Sequence, residues 1–254
     1  SESGTLLSVY AMKDIQQGSA LSIDYLDEFY LPVRRRQERL LKSHGFVCGC
    51  QLCEGVCLDY SRAFCCPQPQ CAQGQVMPRG RGESAGQWEC SSCSRPLSQQ
   101  QWEIIVKEEK NILSNPPDDE EGIQRLLDKG VITESHYICI LLFEQLARMY
   151  SSSSDKGVLA RAVKLWTRII QALERNLCAY HHSKVLYFDM LAQVNVAIGD
   201  IQAAKEAFQN ALTISEVVHG TNGRASSQLR ELVNNTPTTK AELQSSAYYT
   251  FSVS

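Results

Sequence analysis

The chain lacks several features that would assign it to a common class. No stretch approaches the roughly 18 consecutive apolar residues that a bilayer crossing requires. The first residues, SESGTLLSVYAMKD, lack the basic-then-apolar layout of a secretory signal. Neither charge sign dominates: 25 Lys and Arg residues face 28 Asp and Glu residues, for a net charge of −3. The sequence therefore predicts a soluble protein of the cytoplasm, the nucleus or both, without a membrane partner, and it disfavours nucleic acid as a partner.

Cysteine is the residue type whose use departs most from the average. The 254 residues include 11 cysteines, and nine of them lie between Cys48 and Cys93. An odd number of cysteines in a large chain without a signal peptide argues against a disulfide framework. Closely spaced cysteines in a reducing compartment instead indicate thiolate metal ligands. The two remaining cysteines, Cys139 and Cys178, lie in helical patterns and are predicted to be core residues.

Two pairs of cysteines have the spacing of a structural zinc site. Cys66-x4-Cys71 is followed, after an 18-residue excursion, by Cys90-x2-Cys93. Tetrahedral zinc with four thiolates requires two such ligand pairs on opposite sides of the ion. We therefore predict structural zinc at this site. Cys65 competes with Cys66 as the first ligand, and spacing does not decide between them.

A second group of cysteines lies nearer the N-terminus than these two pairs. Cys48-x-Cys50-x2-Cys53 supplies three ligands, one fewer than tetrahedral zinc requires. The fourth ligand is either Cys57 or a cysteine from elsewhere, and spacing leaves both alternatives open.

The hydrophobic pattern divides the chain into regions of different character. Residues 6–25 are predicted to be β structure around a polar turn at Gly18, and residues 31–43 to be a helix with Pro32 in its first turn. Residues 46–97 show little periodicity and few apolar side chains, so we expect something other than burial to hold them. From about residue 101 onwards, apolar residues recur at helical spacing.

One helical segment has the features of a repeat. GDIQAAKEAFQNAL begins at Gly199 and places small residues around Phe208, as in the second half of a tetratricopeptide unit. The alternative is an ordinary helical bundle. The predicted fold is mixed but mainly α: a partial β-segment and a cysteine-rich zinc-binding segment, followed by a tetratricopeptide-like helical domain.

The motifs resemble those of a known family. DIQQGSALSIDY followed by RRRQERLLKSHGFVCGCQLC resembles the end of a SET domain and its post-SET segment, and the helical half is similar to the C-terminal domain of SET-and-MYND protein-lysine methyltransferases. The resemblance covers roughly residues 6–54 and 100–230. It implies that the end of the SET domain, with its partial β-segment, lies at 1–45, the post-SET zinc segment at 46–58 and the helical domain at 99–233. The sequence pattern adds a ribbon-like cysteine segment at 59–98 and a flexible tail at 234–254.

The resemblance also implies roles for three rings. Tyr25 matches the catalytic tyrosine whose hydroxyl lies at the lysine channel, and Phe46 matches the aromatic residue that packs against the adenine of S-adenosylmethionine. His44 stands where the family has a second channel tyrosine, and Ser19 and Ala20 replace two acidic residues of the family pattern. In the family, a cysteine from an earlier asparagine-histidine-serine-cysteine motif completes the post-SET zinc site.

These matches predict two functions that can be tested against each other. The first is that of the C-terminal portion of a zinc-containing, S-adenosylmethionine-dependent protein-lysine methyltransferase, inactive as this isolated chain because upstream cofactor-binding SET segments are absent. Its partner would be a protein or peptide substrate with a lysine. The alternative is a non-enzymatic, zinc-stapled helical-repeat module that binds a partner peptide.

Overall fold

The computed structural model describes residues 9–12, 14–26, 30–71 and 73–245. Within these ranges it contains nine α-helices and three short strands. The helices are α1 (Val33–His44), α2 (Gln99–Ser114), α3 (Glu120–Asp128), α4 (Tyr137–Ser151), α5 (Lys156–Asn176), α6 (His182–Ile198), α7 (Ile201–Val218), α8 (Arg224–Asn234) and α9 (Lys240–Ser245). The strands are β1 (Phe64–Cys65), β2 (Gln75–Pro78) and β3 (Trp88–Cys90). Among the described helices, none is long and apolar enough to cross a membrane.

The predicted β structure at residues 6–25 is wrong for the part that the structure describes. Residues 9–12 and 14–25 contain a turn but no strand. The turn itself is present, since Gly18 has a φ of 85° and the Ser19 N–H donates to the Gln16 carbonyl. Leu21 and Ile23 are 78% and 65% exposed. Without a neighbouring strand to pair with, alternating apolar residues do not form a stable strand.

Helix α1 begins two residues further along the chain than predicted and is capped at its C-terminal end by a glycine. Pro32 is the N-cap rather than a first-turn residue, with an extended backbone that starts the helix. Gly45 at the C-cap has a φ of 72°, a left-handed conformation that glycine adopts without strain. The basic side chains of α1 lie mainly on its solvent face, where Arg34 pairs with Glu38 at 2.9 Å.

The three strands form an antiparallel sheet in the order β1–β2–β3. The cysteine-rich segment buries several apolar side chains in and beside this sheet, and Phe64 packs against His136 from outside the segment. These residues are at most 1% exposed: Ala63, Phe64, Val76, Met77 and Trp88. The Trp88 and Phe64 ring centroids are 5.5 Å apart. The Arg62 guanidinium lies over the Trp88 ring, 4.9 Å from the ring centroid.

A buried carboxylate connects α1 to this sheet. Asp59 Oδ2 accepts the backbone N–H of Val33 at 2.9 Å, which satisfies an otherwise free donor in the first turn of α1. Asp59 Oδ1 accepts the N–H and the hydroxyl of Ser61, and the Asp59 N–H donates to the Pro78 carbonyl of β2. Burial raises the pKa of the Asp59 carboxyl, while these hydrogen bonds oppose the rise.

A second buried charged group joins Arg62 to α2. Arg62 donates to both carboxylate oxygens of Glu109 from α2, and both side chains are largely buried. His136, which is fully buried, lies 3.7 Å from Glu109, and its burial lowers its pKa well below the usual value. Asp119 caps α3 by accepting the Gly122 N–H.

The described residues group into two compact units. The cysteine-rich unit comprises the described residues within Asp24–Met149 and Gln171–Asn176. The hairpin unit comprises the described residues up to Ile23, those within Tyr150–Ile170 and those from Leu177 onwards. The division between these units lies inside the helical region, and the domain boundaries given by the sequence stay predictions. Helices α4 and α5 contribute residues to both units.

The core of the hairpin unit is centred on the segment with the repeat features. Helix α6 ends at Gly199, whose φ is 92°, and Asp200 caps α7 by accepting the Ala203 N–H. The small residues and Phe208 of α7 are buried together with α8. This arrangement confirms the packed helical region, and the tetratricopeptide assignment of it stays a prediction.

Two predictions about this unit are wrong. Leu243 of α9 is 4% exposed and belongs to the buried cluster, so the tail is docked at least as far as residue 245. Cys178 is exposed in the turn after α5, because α5 ends before it. In the cysteine-rich unit, Cys139 is fully buried, as predicted.

We predict that Asp59→Ala lowers the free energy of unfolding by about 2 kcal/mol, because it removes the acceptor for Val33 and Ser61. The measurement is the urea midpoint at a fixed zinc concentration. The control is Asp14→Ala, at an exposed site, for which we expect a change below about 0.5 kcal/mol. Equal midpoints for the two variants would contradict the role of Asp59.

Candidate metal centres and aromatic site

Four cysteines of the sheet and its adjoining turns form one cluster. The Sγ atoms of Cys66, Cys71, Cys90 and Cys93 all lie within 4.8 Å of one another. The Cys66 and Cys93 sulfurs are 3.9 Å apart, and those of Cys71 and Cys90 are 3.7 Å apart. Tetrahedral zinc with bonds of about 2.3 Å to sulfur requires ligand separations of about 3.8 Å. The cluster therefore has both the ligand chemistry and the spacing of a structural zinc site.

The local backbone explains why these sulfurs converge. A Cβ on Gly74 would lie 2.3 Å from the Cys71 sulfur and 2.6 Å from the Cys90 sulfur, so only glycine leaves room for them. The Gly74 carbonyl also accepts the Cys66 N–H at 2.8 Å, which closes the first ligand turn. In the second turn, the Ser92 N–H donates to the Cys90 sulfur at 3.4 Å.

The structure resolves the choice between Cys65 and Cys66. Cys66 belongs to the four-sulfur cluster, whereas the Cys65 thiol lies 3.7 Å from the Ile132 carbonyl. Cys65 is the last residue of β1, and successive side chains of an extended chain point to opposite faces. Only one of the two adjacent cysteines can therefore reach the cluster.

The thiols of the cluster differ in acidity before any metal is considered. Desolvation raises the pKa of Cys66 to about 12. Desolvation acts on Cys90 in the same direction, but hydrogen bonds from the backbone of Cys93 and Ser92 and from the Cys93 and Cys66 thiols together lower the pKa of Cys90 to about 7. Cys90 is thus the more acidic of these two thiols, and a bound cation would favour the thiolate form of its ligands.

The second cluster consists of Cys48, Cys50 and Cys53, whose sulfurs also lie within 4.8 Å of one another. Cys57 is exposed and does not belong to this group. Among the described residues, the group thus offers three thiolates and no fourth cysteine. Both clusters are compatible with zinc, which prefers thiolate ligands, and the second would need a further ligand from outside the group.

A buried glutamine holds the second cluster against α1, and our sequence reasoning missed it. Gln37 Oε1 accepts the Cys48 N–H at 2.9 Å, and Gln37 Nε2 donates to the Cys48 carbonyl at 2.7 Å. The sequence contains a signal for this role: Gln37 lies between Val33 and Leu40 on the buried side of the helix. A polar residue in an apolar stripe requires a hydrogen-bond partner.

The three rings singled out in the sequence come together beside this cluster. The Tyr25 ring centroid lies 5.2 Å from that of His44 and 5.2 Å from that of Phe46, both in edge-on geometry. The left-handed turn at Gly45 brings Phe46 back to within 6.3 Å of His44 at the end of α1. Tyr25 is 50% exposed, so one side of the group is open to solvent.

Comparison with known proteins supports the family resemblance. No family model matches the chain. A curated relative, N-lysine methyltransferase SMYD2-B of Danio rerio, is 26% identical over 220 residues, which is 85% of this chain and 46% of that protein. The chain therefore spans about half the length of the relative. This distant similarity to one lysine methyltransferase agrees with the family resemblance of the motifs.

We predict that Cys90→Ser lowers the zinc content by about one ion per chain, because it removes one of the four clustered thiolates. The measurement is elemental analysis of protein purified without chelators. The matched control is Cys65→Ser, which removes a nearby thiol outside the cluster and leaves the zinc content unchanged. An equal loss of zinc from both variants would contradict the four-sulfur assignment.

Proposed function

We propose that the chain is the C-terminal portion of an S-adenosylmethionine-dependent protein-lysine methyltransferase of the SET-and-MYND type. The group of Tyr25, His44 and Phe46 is the observation that carries this proposal. Three rings that match functional positions of one family lie within 6.3 Å of each other, next to a thiolate cluster that also matches that family. The distant relationship to a named lysine methyltransferase supports the same function.

In this proposal each of the three rings has a distinct task. The Tyr25 hydroxyl orients the lysine ε-amine, which must be held in line with the transferred methyl group. Phe46 packs against the adenine ring, and His44 lines the lysine channel. Bound S-adenosylmethionine would supply the electrophilic methyl group.

Zinc would act structurally rather than chemically. An ion at Cys48, Cys50 and Cys53 would fix the segment that follows Phe46, and the Gln37 hydrogen bonds would connect that segment to α1. An ion at Cys66, Cys71, Cys90 and Cys93 would stabilise the adjoining sheet. Because all four ligands there are thiolates, zinc would keep no open position for a substrate.

We predict that Tyr25→Phe in the full-length protein lowers methyl transfer by at least about 100-fold, because it removes only the hydroxyl that orients the amine. The measurement is transfer of radiolabelled methyl groups to a lysine-containing protein. We also expect no transfer by the isolated 254-residue chain. Robust turnover by that chain, or an unaffected Tyr25→Phe enzyme, would contradict the proposal.

We predict that Phe46→Ala weakens binding of S-adenosylhomocysteine to the full-length protein by about tenfold, since it removes an aromatic contact to the adenine. Calorimetric titration measures the affinity. The control is Val56→Ala, at a residue of the same unit that is 61% exposed and lies outside the ring group. Equal affinities for the Phe46→Ala and Val56→Ala proteins would contradict the assignment of Phe46.

The alternative function is that of a non-enzymatic interaction module. The packed helices around Phe208 and the two cysteine clusters would suit a zinc-stapled scaffold that binds a partner peptide. The same titration separates the two functions. If neither S-adenosylmethionine nor its homocysteine product gives heat, while a partner peptide binds saturably, the module is favoured.

A further inference from the structure

A cleft in the cysteine-rich unit belongs neither to the metal clusters nor to the ring group. It has a volume of about 680 Å³ and is lined by α1, α2 and the turn after β2. None of the seven clustered cysteines and none of the three rings lines it. A volume between about 300 and 1,000 Å³ is typical of pockets that enclose a small ligand or a short peptide segment.

The charges in this cleft are unbalanced. Five of its lining side chains are cationic and three are anionic, although the whole chain carries a net charge of −3. Three of the cations have carboxylate partners: Arg34 with Glu38, Arg62 with Glu109 and Arg81 with Glu83. Arg35 of α1 and Lys110 of α2 remain, and neither has an ion-pair partner within the part of the chain that the structure describes.

The apolar side chains of the lining indicate which class of ligand the cleft can bind. Leu41, Val47 and Leu113 line the cleft and are 55%, 58% and 42% exposed. Aliphatic side chains of a ligand would bury this surface, whereas a polyphosphate backbone offers nothing to bury there.

We propose that this cleft binds a short acidic peptide segment of a partner protein. The carboxylates of that segment pair with Arg35 and Lys110, and an aliphatic side chain of the segment packs against Leu41, Val47 and Leu113. The guanidinium of Arg35 can hold one carboxylate with two parallel hydrogen bonds, and Lys110 provides a point charge for another. This binding requires neither S-adenosylmethionine nor lysine methylation, so it can succeed or fail independently of the proposed function.

Binding is tested with a fluorescein-labelled hexapeptide of sequence EELLEE, measured by fluorescence anisotropy on the zinc-loaded chain. We expect saturable binding that weakens as the salt concentration rises, because exposed charge pairs are screened. Two matched peptides, QQLLQQ and EEGGEE, remove the charges and the aliphatic side chains, and each should bind more weakly. A hexauridylate serves as the nucleic-acid probe and should bind more weakly than EELLEE.

Charge reversal assigns the binding to the cleft. The double variant Arg35→Glu with Lys110→Glu should weaken EELLEE binding at least about tenfold, because it replaces two attractive contacts with repulsive ones. The control variant, Arg39→Glu with Lys107→Glu, makes the same charge changes on the same two helices outside the cleft lining. We expect it to change the affinity by less than about twofold. All four side chains are exposed, so thermal unfolding of both variants should match that of the parent chain.

Several outcomes would overturn the proposal. These are no saturable binding of EELLEE, equal binding of QQLLQQ or EEGGEE, tighter binding of the hexauridylate, and an equal loss of affinity in the two double variants. None of these results would bear on the Tyr25 and Phe46 measurements, which depend on the ring group alone.

Discussion

The buried carboxylate of Asp59 is the contact on which most of the cysteine-rich unit depends. It caps α1 from 26 residues away, orders the turn at Ser61 and, through its own N–H, attaches to β2. Helix α1 in turn carries His44 at its end, Gln37 against the second thiolate cluster, and Arg35 in the cleft. One desolvated charge therefore fixes elements that have separate tasks, and its three donors make its burial tolerable.

Clustered thiols and apolar burial occur together in this unit. The sheet has only three short strands, so it depends on a buried hydrophobic face for its stability. Phe64 and Trp88 are buried on one face of the sheet and Met77 on the other, and four converging sulfurs lie at the ends of its strands and turns. Gly74 is required beside the cluster, because a single methyl group at that position would push the Cys71 and Cys90 sulfurs away.

The ring group and the acidic-peptide cleft would let one unit serve catalysis and recognition at different places. Tyr25, His44 and Phe46 lie at the C-terminal end of α1 beside the three-thiolate cluster. The cleft uses exposed residues along α1 and α2, with no side chain in common with the ring group. A partner held in the cleft would therefore leave the rings free for a substrate, and the same scaffold would position both.

Residue types and spacings were enough to predict the features that local chemistry requires. They predicted α1 and the helical region from its apolar periodicity, the four-cysteine zinc ligand set from its spacing, and the three rings from their family motif. The folded arrangement was needed to show which of Cys65 and Cys66 joins the cluster, that Cys57 stays outside the other group, and that residues 9–12 and 14–25 form no strand. It also revealed Asp59, Gln37 and the cleft, because their partners lie 11 to 47 residues away in sequence. Periodicity records which face of an element is apolar, whereas ligand choice, caps from distant residues and unpaired charges depend on which elements meet in space.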